Sequence, residues 1–281
     1  MSSVASYGRH GGFELRRISS VDVRVVFQSF ASEELLVLVT SDLAAPENYL
    51  RNLLKHVHNG VVLLLGRQAF TRAISSGNPD LQRHLRVVNK LADYICQEDS
   101  PPFGVSLRAV EMHPLRGSAE RAMVVTAMEA LAEAASIECA CITINHRVCF
   151  ATSPWWSLNP SELLLLQGLL CAMLPATLRD VPVYLPVTNP LKPVRLVTVA
   201  LCAGAELALL CADTPTLGDA GKLARHYLMG VAKILKDAQE QSQQQGWPSS
   251  ITGNPNIQAC AFVSRTDGLV SLAPVARSGE C

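Results

Sequence analysis

Between residues 118 and 240 the chain alternates helical and extended periodicity in one order, and that order limits the fold more than any other feature. "SAERAMVVTAMEALAEAA" is rich in Ala, Met and Glu, which favour helix. "ECACITIN" and "RVCFAT" read as two strands meeting at Asn145 and His146, a pair suited to a tight turn. A helix opens at Asn159, and three short strands follow, "VPVYLP", "RLVTVALCA" and "ELALLCAD", the last two hinged at Gly204. "DAGKLARHYLMGVAKILKDAQEQ" closes the unit as a helix, with Leu223, Tyr227, Val231, Ile234 and Leu235 on its buried side. Helix, two strands, helix, three strands, helix does not suit a doubly wound parallel sheet. It predicts an α+β or α/β/α layered domain with helices on a mostly antiparallel sheet.

The second helix is announced by "WWSLNPSELLLL". Asn159 suits the N-cap and Pro160 the first helical position. Glu162 is placed to reach back to the cap's amide, and Leu158 and Leu163 occupy the staple positions. Trp155 and Trp156 therefore lie in the connection that delivers the chain to this helix. The expectation is one tryptophan buried under the helix and the other partly exposed. Contact with a partner is the alternative role for the pair.

The first hundred residues begin with a hairpin. "VDVRVVFQSF" places Val21, Val23, Val25 and Phe27 on one face, and "ELLVLVTSD" returns after a polar turn. In "APENYLRNLLKHVHNG", Pro46 suits a first-turn position, Leu50, Leu53, Leu54 and Val57 recur at helical spacing, and Gly60 is the candidate stop. Val61 to Leu65 either extends that helix or forms a short strand. "NPDLQRHLRVVNKLADYIC" is a further helix, and "QEDSPPFG" reads as a boundary. Residues 1–97, a linker over 98–117, a unit over 118–240 and a polar linker with a hairpin over 241–281 are the expected divisions.

The first helical layer is basic. Arg51, Lys55, Arg67, Arg72, Arg83, Arg86 and Lys90 face the single acid Asp80. Arg51, Lys55, Arg83, Arg86, Lys90, Trp155 and Trp156 are accordingly the candidate surface for a partner or an anionic membrane. The competing reading is a solvated helix face balanced by Glu120, Glu129 and Glu133.

Chemistry is hard to place. Lys+Arg and Asp+Glu balance at 24 each among 281 residues, which lacks the basic excess expected of a nucleic-acid binder. The 9 cysteines are odd in number and mostly sit in apolar runs, as reduced thiols in a cytosolic, non-secreted chain would. "GDAGK" is too short for a phosphate loop and lacks the following Ser or Thr. His56 and His58 are two apart on a helix, wrong for joint metal ligation, and read as surface histidines. Cys139 and Cys141 read as core packing. No motif proposes a nucleophile, a zinc site or a dinucleotide site, so the expectation is a chain that is not an enzyme and holds no cofactor.

Taken together, "ATSPWWSLNPSELLLL", "LPATLRDVPVYLP" and "ELALLCAD" resemble the Fuzzy family of planar cell polarity and ciliogenesis effectors. Weaker similarity runs through "VVFQSF", "LLVLVTSD" and "GVVLLLG", so that Val21 to Met229 lies on the family in order. The resemblance implies tandem longin domains, the first lacking its first two strands and first helix, with "IQACAFVSRTDGLVSLAPV" as the opening hairpin of a third. It also implies a non-catalytic subunit that pairs with an Inturned-type longin partner, in a complex exchanging nucleotide on a Rab-family small GTPase and supporting intraflagellar transport. The cytoplasm at the ciliary base, with its cytoskeleton, is the implied location. A general vesicle-trafficking or membrane-surface adaptor is the alternative.

Overall fold

The computed structural model describes residues 16–30, 34–76, 88–91, 93, 110–113, 115, 117–174, 176–244, 259–264 and 269–274. The first unit is a meander, β1 (Arg17–Ser19), β2 (Arg24–Ser29) and β3 (Leu35–Thr40), antiparallel throughout. The Asp42 carboxylate accepts from the amides of Ala44 and Ala45 and turns the chain into α1 (Glu47–Leu65), for which Pro46 is the N-cap rather than a first-turn residue. Val61 to Leu65 continues this helix. The stop is Gly66, at φ +73°, and Gly60 stays helical. A short α2 (Arg67–Ser76) follows.

The hairpin forms as the alternation predicts, but its buried face is the other one. Val26 is fully buried with Ala45, Leu50 and Leu54, and Leu36 and Leu38 pack against them. The register explains this, since Val26 pairs with Leu38 and Gln28 with Leu36, placing these rows under α1. Val21 is exposed, and Val25, Phe27, Val37 and Val39 turn away from α1. The expected helix over 78–97 lies mostly outside the described residues; 88–91 are helical, with Val88 and Leu91 buried.

The second unit is a five-stranded antiparallel sheet between two helical layers. Its parts are α3 (Ser118–Ala135), β5 (Cys139–Ile144), β6 (Arg147–Ala151), α4 (Ser153–Trp156), α5 (Pro160–Ala172), β7 (Leu178–Leu185), β8 (Asn189–Cys202) and β9 (Ala205–Cys211), preceded by the two-residue strand β4 (Val110–Glu111). The expected closing helix is broken. It runs as α6 (Leu217–Leu228), a 3-10 turn at Met229–Val231 containing Gly230, and α7 (Ala232–Gln244). Strand order is β6-β5-β9-β8-β7. Asn145 and His146 both have positive φ, 47° and 64°, which matches the right-handed twist of the hairpin they join.

Each face of this sheet has its own core. Val124, Met128 and Leu131 of α3 and Ala220, Ala224 and Leu228 of α6 cover Ile142, Val197, Leu207 and Leu209. On the opposite face Leu165, Leu166 and Leu169 of α5, with Leu63 of α1, cover Cys141, Val183, Leu196 and Ala208. Helix α1 thus serves both units, and Gly60 lets it approach Leu165 and Leu91. In the stretch expected as a linker, β4 pairs in parallel with β11 (Leu269–Pro274), which forms a hairpin with β10 (Ala259–Ser264).

Candidate interaction surface

The basic layer is less free than its sequence suggests. The Arg51 guanidinium donates to Glu47 at 3.0 Å and to the Gln28 side-chain oxygen at 3.4 Å, so it clamps α1 to β2. Glu47 also accepts from Arg17, and it is this residue, not Glu120, Glu129 or Glu133, that neutralises Arg51. Lys55 and Lys90 are exposed. Arg83 and Arg86 lie outside the described residues.

His58 is not a surface histidine. At 3% exposure its Nε2 lies 2.8 Å from Glu34, itself 4% exposed, and Glu34 accepts a second bond from the Thr71 hydroxyl at 3.0 Å. Phe30 stacks on the imidazole at 3.9 Å and Phe70 meets it edge-on. The cluster ties β3 to α1 and α2. Sequence reading missed it because helix phase alone does not bring Glu34, 24 positions away, to His58.

Trp155 is buried at 2% exposure and Trp156 partly buried, both packed on the α5 side of the sheet. The pair is one buried and one partly exposed residue, as their place before the helix predicts. Asn159 caps α5 by accepting from the Ser161 amide at 3.0 Å. Glu162, however, does not close the expected capping box. Fully buried, it accepts from the amides of Val187 and Thr188 at 2.8 Å each and from the Thr188 hydroxyl at 2.6 Å. Gln167, one turn and a half further on, bridges the backbone of Glu111 and the His146 carbonyl. Helix α5 is therefore a polar spine for the β7–β8 turn, the β5–β6 turn and β4.

The described cysteines are free thiols. Burial pushes Cys149 up to about 12 and Cys211 up to about 11, and Cys141 well above its ordinary value. Such thiols are poor nucleophiles at neutral pH. Cys141 is core, as expected; its neighbour Cys139 is only partly buried. Among the described residues no cluster of His, Cys, Asp or Glu could hold a metal ion, and no helix is long and apolar enough to cross a membrane. An open groove of about 690 Å³ lies between α3 and the end of β6.

Comparison with known proteins follows the two units. Residues 1–95 match the family model described as the first longin domain of FUZ, MON1 and HPS1, and residues 139–227 match the second longin domain of the same proteins. The protein fuzzy homolog of Homo sapiens is 32% identical over 218 residues, 77% of this chain and 50% of its own length. That of Mus musculus is 30% identical over 219 residues, 78% of this chain and 51% of its own. The chain spans about half the length of the curated relatives it matches. Among solved structures, "MglB with tetrameric arrangement" aligns at TM-score 0.34 and 15% identity, covering 46% of this chain and 96% of that one, a likeness too slight to argue from.

Proposed function

The chain belongs to the longin family of FUZ, MON1 and HPS1, and on that ground we propose that it acts as a non-catalytic longin adaptor in planar cell polarity and ciliogenesis. In this reading it pairs with an Inturned-type longin partner, in the cytoplasm at the ciliary base. The pair exchanges nucleotide on a Rab-family GTPase and supports intraflagellar transport.

The observation that carries the partnership is the sheet face of the first unit. In the second unit the meander β7-β8-β9 is covered on one face by α6 and on the other by α5. In the first, β2 and β3 are covered by α1 on one face, while Val39 on the other is 60% exposed and Ile18 46%. An apolar sheet face of this kind suits a protein partner. Co-expression with an Inturned-type longin partner, followed by size-exclusion chromatography and GDP-release assays, tests the reading. Co-elution lost on Val25→Asp plus Val39→Asp is the expected result; a folded chain that never co-elutes overturns it.

A second reading, a membrane-surface adaptor without exchange, is favoured by the exposed Lys55 and Lys90 on the basic layer. Flotation with anionic vesicles separates the two. Binding that vanishes in Arg83→Glu plus Arg86→Glu, and weakens with salt, supports the membrane adaptor.

A further inference from the structure

The groove between α3 and β6 has a charge pattern that the longin reading leaves unused. Its floor is apolar, with Val125, Ala132 and Ile137 on one side and Phe150 on the other. Its rim carries Glu129, Glu133 and Glu138, all exposed, and no lysine or arginine lines it. None of the three carboxylates has an ion-pair or hydrogen-bond partner among the described residues. Like charges gathered without neutralisation around an apolar trough raise the local potential and leave it complementary to cations.

Geometry narrows the occupant further. Glu129 and Glu133 are four apart on α3 and so stand on one face, about 6 Å from one another. In an extended chain, side chains on one side recur every two residues, about 6.7 Å apart. Lysines at alternate positions therefore meet successive carboxylates while the residues between them face the apolar floor. Independently of charge, β6 ends the five-stranded sheet, and among the described residues its outer edge is met at Val148, by the Met112 bridge and the His113 amide. From Phe150 onward that strand lines the groove, as strand-addition sites do.

We propose that this groove docks an extended, basic segment of a partner protein, with cationic residues at alternate positions and small apolar residues between them. The site is separate from the partly exposed sheet face of the first unit and from the basic layer, so it stands or falls independently of the longin pairing.

The test uses the full chain and a fluorescein-labelled Lys-Val-Lys-Val-Lys peptide, read by anisotropy. Expected are saturable binding at low salt and weakening of about tenfold or more as ionic strength rises from 0.05 to about 0.5 M. Glu129→Lys plus Glu133→Lys, both exposed helix positions, should lose the basic probe and gain a Glu-Val-Glu-Val-Glu probe. Glu138→Lys, off the helix, gives the same result if the double variant fails a circular dichroism check. Equal binding of the basic probe to the wild-type and reversed chains overturns the proposal. So does no binding to the folded wild type, or a photo-crosslink mapping outside residues 125–154.

Discussion

Glu162 and Thr188 lie 26 positions apart and are joined twice, by the Thr188 amide at 2.8 Å and its hydroxyl at 2.6 Å, both donating to one fully buried carboxylate. With the Val187 amide as a third donor, the carboxylate replaces the hydrogen bonds that water would otherwise supply to the β7–β8 turn. Glu162→Ala leaves two amides and a hydroxyl without this acceptor, and is expected to cost about 3 kcal/mol. Glu162→Gln keeps one acceptor oxygen and should cost less. Urea denaturation of the two variants checks the order; an Ala variant as stable as wild type would remove the turn-holding role.

The joint between the units rests on Gly66 against Tyr184. A Cβ at Gly66 would lie 2.6 Å from the Tyr184 ring, and the backbone there has φ +73°. Gly66→Ala therefore combines a clash with a backbone conformation, φ 73° and ψ 153°, that is nearly exclusive to glycine and costs about 1–3 kcal/mol in a residue with a side chain. Pairing it with Tyr184→Ala should recover the clash and leave the conformational part. The measurement is a double-mutant cycle by thermal or urea unfolding, with an expected coupling above about 0.5 kcal/mol.

Where sequence and structure agree, the signal is local. Asn159 caps α5, the turn at Asn145 and His146 adopts the positive φ values its residues tolerate, and α3 spans the stretch its composition favours. The misses share one cause. Glu162 has a local use at the cap and a distant one at Thr188, and the distant one wins because a buried carboxylate needs every donor it can reach. Alternation in "VDVRVVFQ" selects the face of Val21, Val23, Val25 and Phe27, yet α1 packs Leu50 and Leu54 on the other face, over Val26. His58 reads as polar helix surface until α2 and β3 close over it. Of the candidate interface residues, Arg51 is committed to Glu47 and Gln28, which a count of charges along the chain cannot reveal.

Removing either partner of the Glu34 and His58 pair leaves the other polar group in a site of about 4% exposure or less. His58→Leu and Glu34→Leu are each expected to cost about 3 kcal/mol or more, because an uncompensated buried group is left behind. The double variant should cost less than the sum of the two. A cycle in which the single costs simply add would show that the pair is not energetically coupled.

Alkaline pH should destabilise the second unit through its buried thiols. Burial raises Cys149 from 9.0 to about 12, so between those values the unfolded chain releases the thiol proton while the folded chain keeps it. The folded state then binds more protons, and stability falls as pH rises. One such thiol contributes a slope approaching 1.4 kcal/mol per pH unit, roughly the limit for a single proton, and Cys141, whose value is also raised by burial, adds to it. Only well below pH 9, where the unfolded thiol too stays protonated, does neither thiol contribute to the slope. Denaturation midpoints measured from pH 7 to about 11 should be flat and then decline, and Cys149→Ala should remove part of the decline at a modest cost in packing. An unchanged slope in that variant would assign the alkaline loss to other groups.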